Sequence, residues 1–252
     1  MKIVFFGAST FAPLVLPILE KNFEIEMVVN EKSTDSEAVM NSQSEIAVLA
    51  AFGKILPQVV LSHFKYGILN IHPSLLPKFR GSSPVQSAIL AGETETGVSV
   101  IKLDAEMDHG PILAQEKIEV LPTDTTWSLY QKLFPLGAKL IVDNLEGYIS
   151  GKKTLGEQNN EAATYTKPLT RESGQVEILN TEPDVFEREV RAYFPWPGVW
   201  SKVMITDKLL VIKFLPNNMV QVEGGKPMSY KDFLNGYPNA DRNLVEFLRK
   251  EL

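Results

Sequence analysis

The stretch Gly67-Ile-Leu-Asn-Ile-His-Pro-Ser-Leu-Leu-Pro77 decides how the rest of the chain reads. Gly67–Ile71 is a short, largely apolar run ahead of a proline-bearing loop, the pattern of a buried strand. Asn70 and His72 sit two residues apart, and on a strand that spacing sends both side chains to the same side. In an open α/β sheet, ligands lie beyond the carboxyl ends of the strands, and this pair falls there. Asn offers an uncharged donor and His a proton-sensitive one, a combination suited to a developing oxyanion. A capping Asn and a packed His are the plain structural alternative.

Upstream, Lys2–Phe6 reads as a buried strand, Gly7–Thr10 as its turn and Phe11–Lys21 as a helix. Glu24–Val29 is a second strand and Ile46–Phe52 a third, with the polar stretch Glu31–Glu45 between them. Pro57–His63 suggests a short helix. Downstream, Val85–Ala91 looks helical, and Val98–Leu103 and Ile112–Val120 read as strands. Strands alternating with short helices predict an α/β sheet, parallel at its start. Leu129, Leu133, Leu136, Leu140 and Leu145 recur at helical spacing, so a long helix is expected, capped near Asp124 and kinked at Pro135. A polar connection runs from Gly147 to about Asn180. Short strands at Lys208–Phe214 and Met219–Glu223 follow, then a capped helical turn at Ser229–Leu234 and a last helix at Asn243–Leu252.

The 252 residues are 44% hydrophobic, enough for one large domain or a domain with a small appendage. The absence of Cys excludes disulfides, thiolate metal sites and thiol nucleophiles, and fits a reducing compartment. A net charge of −6 argues against binding nucleic acid through bulk charge. Ile3–Leu19 carries no charge, yet Gly7, Pro13 and Pro17 interrupt it, so it reads as strand, loop and helix rather than a signal peptide. No apolar run elsewhere reaches the ~18 residues of a membrane span, so a soluble, cytoplasmic protein without a membrane is expected.

Gly7-Ala8-Ser9-Thr10 lacks the glycines of a dinucleotide loop, and no phosphate-binding P-loop occurs, which argues against NAD and ATP as primary ligands. Asp108, in Leu103-Asp-Ala-Glu-Met-Asp-His-Gly-Pro111, lies in a loop from which a carboxylate could reach His72 and hold it protonated. Asp104, Glu106, Asp108 and His109 match no standard metal spacing, so no metal is expected.

Asn70-Ile-His-Pro-Ser-Leu-Leu-Pro77, followed by Phe79-Arg-Gly81 and Pro84-Val-Gln86, resembles the signature of folate-dependent formyltransferases. Asp108-His-Gly-Pro-Ile112 resembles that family's Asp-x-Gly motif. Ala163-Thr-Tyr-Thr-Lys-Pro-Leu-Thr170, Arg191-Ala-Tyr-Phe-Pro-Trp-Pro-Gly198 and Lys226-Pro-Met-Ser229 with Asp232-Phe-Leu-Asn-Gly236 resemble the methionyl-tRNA formyltransferase branch. Ala50–Pro57 is similar to that branch's wall of the folate site.

The resemblance implies a Rossmann-like catalytic domain over residues 1–168. Residues 169–252 would form a linker and a short tRNA-binding-type domain, a small β-barrel of the OB type. It implies transfer of a formyl group from 10-formyltetrahydrofolate to the amino group of methionyl initiator tRNA, for translation initiation, by a monomer without a metal. Carried over by motif, Asn70, His72 and Asp108 are the catalytic set. Ser74, Leu75, Leu76 and Pro77, with Phe52 and Ile55, are the folate contacts. Lys78 and Arg80 read either as cations facing phosphate or the folate tail, or as ordinary loop charges.

The family carries a further strand–helix segment and a basic loop where this chain has only Glu31–Glu45, with the single basic residue Lys32. That departure keeps a second acceptor class in play, a nucleotide-linked amino sugar. A non-catalytic folate or tRNA binder is the third reading, and it leaves the polar trio unexplained.

Overall fold

The computed structural model describes residues 1–8, 10–30, 36–178, 181–205 and 207–250. The turn expected over Gly7–Thr10 includes Ser9, and the first third of Glu31–Glu45 is residues 31–35; both lie outside the described residues. The chain divides into two compact units. The first comprises residues 1–85, 94–120 and 129–167, and the second residues 86–93, 121–128 and 168–252.

The first unit is built on a six-stranded sheet of β1 (Lys2–Gly7), β2 (Glu24–Val29), β3 (Ala47–Ala50), β4 (Ile68–His72), β5 (Glu95–Lys102) and β6 (Ile112–Glu119). Their spatial order is β2-β1-β3-β4-β5-β6. β2, β1, β3 and β4 run parallel, and β5 and β6 turn antiparallel to them. Short helices α1 (Ala12–Glu20), α2 (Ser36–Met40), α3 (Gln58–Leu61) and α4 (Pro84–Leu90) fall between the strands. Every expected strand of this unit is present, and β5 begins three residues earlier than its pattern suggested. β4 is central and all five of its residues are buried. That fits the near-continuous apolar character of a strand covered on both faces.

One face of the sheet packs Val4, Phe6, Leu49 and Ile68 against Val60 and Phe64. Phe6 meets Phe64 edge-on at 6.3 Å and Phe52 at 5.7 Å. The long helix α5 (Thr126–Ile149) runs unbroken through Pro135. It crosses β4 and β5 at Gly137, where a Cβ would stand 2.3 Å from Ile71 and 3.0 Å from a methyl of Val98. Only glycine permits that approach. Thr125, rather than Asp124, caps α5. Thr125 Oγ1 accepts the Ser128 N–H at 3.2 Å, and the Thr125 N–H returns to Ser128 Oγ at 3.0 Å. Asp124 stands one residue earlier and accepts the Ser128 hydroxyl and the Leu121 N–H.

The second unit holds α6 (Pro183–Ala192), a sheet of β7 (Val199–Ile205), β8 (Lys208–Leu215), β9 (Met219–Val222) and β10 (Met228–Ser229), then α7 (Tyr230–Gly236) and α8 (Arg242–Lys250). The strands form an antiparallel meander in the order β10-β9-β8-β7, the frame of a small β domain. No pairing closes β10 onto β7 among the described residues. Phe186, Phe214 and Phe247 meet edge-on at 4.7 to 6.3 Å and form its aromatic centre. Thr126 donates to the Ala192 carbonyl at 2.6 Å and Arg191 to that of Asp124 at 3.1 Å, which ties residues 121–128 to α6. No helix among the described residues is long and apolar enough to cross a membrane.

Glu26 on β2 pins the chain that returns from α2 to β3. Its carboxylate accepts the hydroxyls of Ser42 and Ser44 and the Gln43 N–H. Led by the Ser44 bond, these hold its pKa at about 2, below the usual carboxylate range. Between about 2 and the ordinary value of 4.5 the unfolded chain therefore binds the extra proton, so stability falls as the pH falls. Glu26→Gln is expected to lower the urea midpoint at pH 7, with the gap to wild type narrowing as the pH drops from 4.5 toward 2.

Candidate active site

Asn70 and His72 leave the carboxyl end of β4 on the same side, 7% and 4% exposed. Asp108 reaches them from the loop between β5 and β6. Asn70 Nδ2 points at Asp108 Oδ1 over 3.4 Å, and His72 Nδ1 stands 3.6 Å from the same oxygen. The other carboxylate oxygen accepts the Gly81 N–H at 2.8 Å. The three residues chosen from the sequence are thus brought together, with Asp108 at their centre.

The opposite nitrogen of His72, Nε2, lies 3.1 Å from the Phe79 carbonyl oxygen. A carbonyl can only accept, so Nε2 carries a hydrogen and Nδ1 is the nitrogen turned to the carboxylate. The ring is therefore held at both ends. Asp108 itself has φ +48°, a left-handed conformation that Asp tolerates better than most residues. Two positions later, a Cβ on Gly110 would lie 1.8 Å from the Lys102 carbonyl oxygen, so the loop closes only with glycine there. The neighbouring His109 pairs with Asp104 at 2.7 Å, and that hydrogen bond raises its pKa above the ordinary histidine value.

The loop after β4 is braced from below. Ser99 on β5, opposite His72, is fully buried and its hydroxyl makes three bonds. It donates to the Ser74 carbonyl at 2.6 Å and accepts the Leu76 N–H at 3.0 Å and Gln115 Nε2 at 2.8 Å. Gln115 also donates to the Leu76 carbonyl at 2.8 Å. Ser74 Oγ donates to the Lys78 carbonyl at 2.7 Å, closing the turn that contains the cis Leu76–Pro77 bond. Of the four residues assigned here to folate contact, Ser74 and Leu76 have buried side chains, while Leu75 and Pro77 keep exposed surface. Phe52 packs on Phe6, and Ile55 is 95% exposed in the segment after β3.

Arg80 corrects both sequence readings, because it is 1% exposed and so neither a surface charge nor a ligand-facing cation. Its guanidinium ends on neutral acceptors: Gln158 Oε1 at 2.7 and 3.2 Å, Asn160 Oδ1 at 2.6 Å and the Tyr165 hydroxyl at 3.3 Å. Gln158 lies in the polar connection after Gly147, where the sequence pattern does not mark it. The one legible signal is the glycine at 156, which pairs with Ile112 through both backbone groups and brings residues 156–167 back to the site.

Residues 4–145 match the formyl transferase family. The chain belongs to that family. It is 46% identical over 165 residues to the methionyl-tRNA formyltransferase of Chloroflexus aurantiacus, an overlap of 66% of this chain and 53% of the relative. It thus spans about half the length of that curated relative. Its fold is also that of a solved methionyl-tRNA formyltransferase from Clostridium thermocellum, with a TM-score of 0.69 and 16% identity over 91% of this chain and 100% of that one. HypX from Aquifex aeolicus, solved in complex with tetrahydrofolic acid, matches with a TM-score of 0.70 and 20% identity over 84% of this chain and 37% of its own. The formyl transferase unit here is the Rossmann-like α/β domain, followed by the small antiparallel β domain.

Ser99→Ala should lower the unfolding free energy by about 2 kcal/mol, since it strands a buried N–H and a buried carbonyl beneath the loop. Denaturant unfolding of the two proteins measures the difference.

Proposed function

We propose that this chain transfers the formyl group of 10-formyltetrahydrofolate to the α-amino group of methionyl initiator tRNA. The observation that carries the reading is the convergence of Asn70, His72 and the Asp108 carboxylate at the end of a central strand. Membership of the formyl transferase family and the identity to a methionyl-tRNA formyltransferase support it.

The amine of an aminoacyl ester is weakly basic, so a neutral nucleophile is available near pH 7. It attacks the formyl carbon and produces a tetrahedral oxyanion. Asn70 Nδ2 has two hydrogens; one is directed at Asp108 and the other is available to that oxygen. As the new C–N bond forms, the ammonium proton passes to Asp108 or to the His72 Nδ1 beside it. Collapse of the oxyanion breaks the bond to N10 of the folate, which takes up the proton. Leu75 and Pro77 would meet the donor with their side chains, and Ser74 and Leu76 would hold the loop in shape. Phe52 and Ile55 would cover the donor from the segment after β3. On this reading residues 1–168 carry the chemistry and residues 169–252 meet the tRNA. The protein acts in translation initiation, in the cytoplasm, as a monomer without a metal.

The test is formyl transfer from 10-formyltetrahydrofolate to methionyl initiator tRNA, with a nucleotide-linked amino sugar assayed in parallel. Formylmethionyl-tRNA and no formylated sugar are expected. Sugar formylation with inert tRNA would replace the acceptor and leave the chemistry. Asn70→Ala, His72→Ala and Asp108→Ala should each lower kcat by roughly 100-fold or more. Turnover like that of the wild type in any one removes that residue from the mechanism.

A further inference from the structure

Residues 156–162 are exposed except for Gln158, which is 8% exposed. This single inward side chain joins three parts of the site. Its Nε2 donates to the carbonyl of Asp108 at 2.8 Å and to that of Gly110 at 2.7 Å. Its Oε1 accepts two bonds from the buried guanidinium of Arg80. Arg80 in turn stands between Phe79, whose carbonyl holds His72, and Gly81, whose N–H is held by Asp108. The same segment grips that loop directly. Thr164 Oγ1 accepts the Phe79 N–H at 2.8 Å, the Thr164 carbonyl accepts that of Arg80 at 2.8 Å, and the Arg80 carbonyl accepts that of Thr166 at 2.7 Å.

We propose that Gln158 is a positioning residue for formyl transfer. Its amide locks the backbone of the Asp108–Gly110 loop to the Arg80 loop, and so fixes the Asp108 carboxylate against His72 and Asn70. The chemistry of the group explains the choice of residue. Two carbonyls face it on one side and a cation on the other, so it must donate twice and accept at once. An amide does both. A carboxylate of the same shape would suit Arg80 but cannot donate to Asp108 and Gly110. Asp108 needs such support, because its left-handed backbone persists only where the surroundings enforce it. A misplacement of about 1 Å at a reacting group costs on the order of 100-fold in rate.

The kinetic arm of the test rests on the formyl-transfer reading; the exchange arm does not. Gln158→Glu keeps the acceptor for Arg80 and removes both donors. Gln158→Asn keeps the amide, adds no charge and is one methylene too short to span the gap, so it decides the matter if the first variant fails to fold. Each folded variant is expected to lose about 100-fold in kcat, with KM for both substrates changed by less than about threefold. Amide hydrogen exchange at Gly81, whose N–H the Asp108 carboxylate holds, should accelerate at least about tenfold while exchange within β5 stays unchanged. Wild-type kcat in both variants overturns the proposal, and so does an unchanged Gly81 exchange rate whatever the kinetics. A wild-type protein that formylates neither acceptor defeats the underlying reading instead, and Gly81 exchange alone then decides the role of Gln158.

Discussion

A guanidinium that is 1% exposed must find its acceptors inside the protein, and among the described residues Arg80 finds neutral ones alone. An unpaired buried cation is strongly unfavourable, and neutral acceptors compensate it only when their geometry is good. Arg80 therefore dictates where residues 158–165 run. Those residues then dictate the shape of the loop after β4 and of the loop between β5 and β6. The three polar groups of the site depend on both loops, since His72 is held from one and Asp108 is carried by the other. The burial of one side chain thus reaches the candidate site through hydrogen bonds.

The sheet supplies the other half of the geometry. Reversal of strand direction between β4 and β5 puts Ser99 opposite His72, where its hydroxyl supports the Ser74–Pro77 turn from beneath. α5 seals the same strands by its close approach at Gly137. Together these leave Asn70 and His72 with little freedom, which suits a reaction that gains its rate from donors fixed before charge develops. The second unit has its own aromatic centre in Phe186, Phe214 and Phe247 and its own antiparallel sheet.

How much of this was legible in the sequence follows from the kind of signal each part carries. The strands of the first unit were readable because buried strands appear as short apolar runs between turn residues. Asn70 and His72 were readable as a pair because a spacing of two has one meaning on a strand. Asp108 was readable as a carboxylate within reach, but the Gly81 N–H that it holds was not, because a backbone donor carries no signal of residue type. Gln158 was invisible for another reason: a polar residue in a polar segment announces a fold only through partners 48 to 78 residues away. Arg80 misled, since a charge in a loop is ordinarily solvated. In the second unit α6 buries Phe186, Val190 and Ala192 amid charged residues, and β7 follows the closely spaced Pro195 and Pro197, so neither stands out as a clear apolar pattern.

On the proposed function, Asn70, His72 and Asp108 face a folate-borne formyl group. The most direct measurement is a titration of the protein with tetrahydrofolate, followed through the imidazole Cε1–H signals of its three histidines. His63, placed against the Ser42 carbonyl at 3.3 Å, serves as the internal reference. A saturable shift of the His72 signal is expected, with the His63 signal unmoved. A His72 signal that stays fixed while the ligand binds would contradict the proposed function.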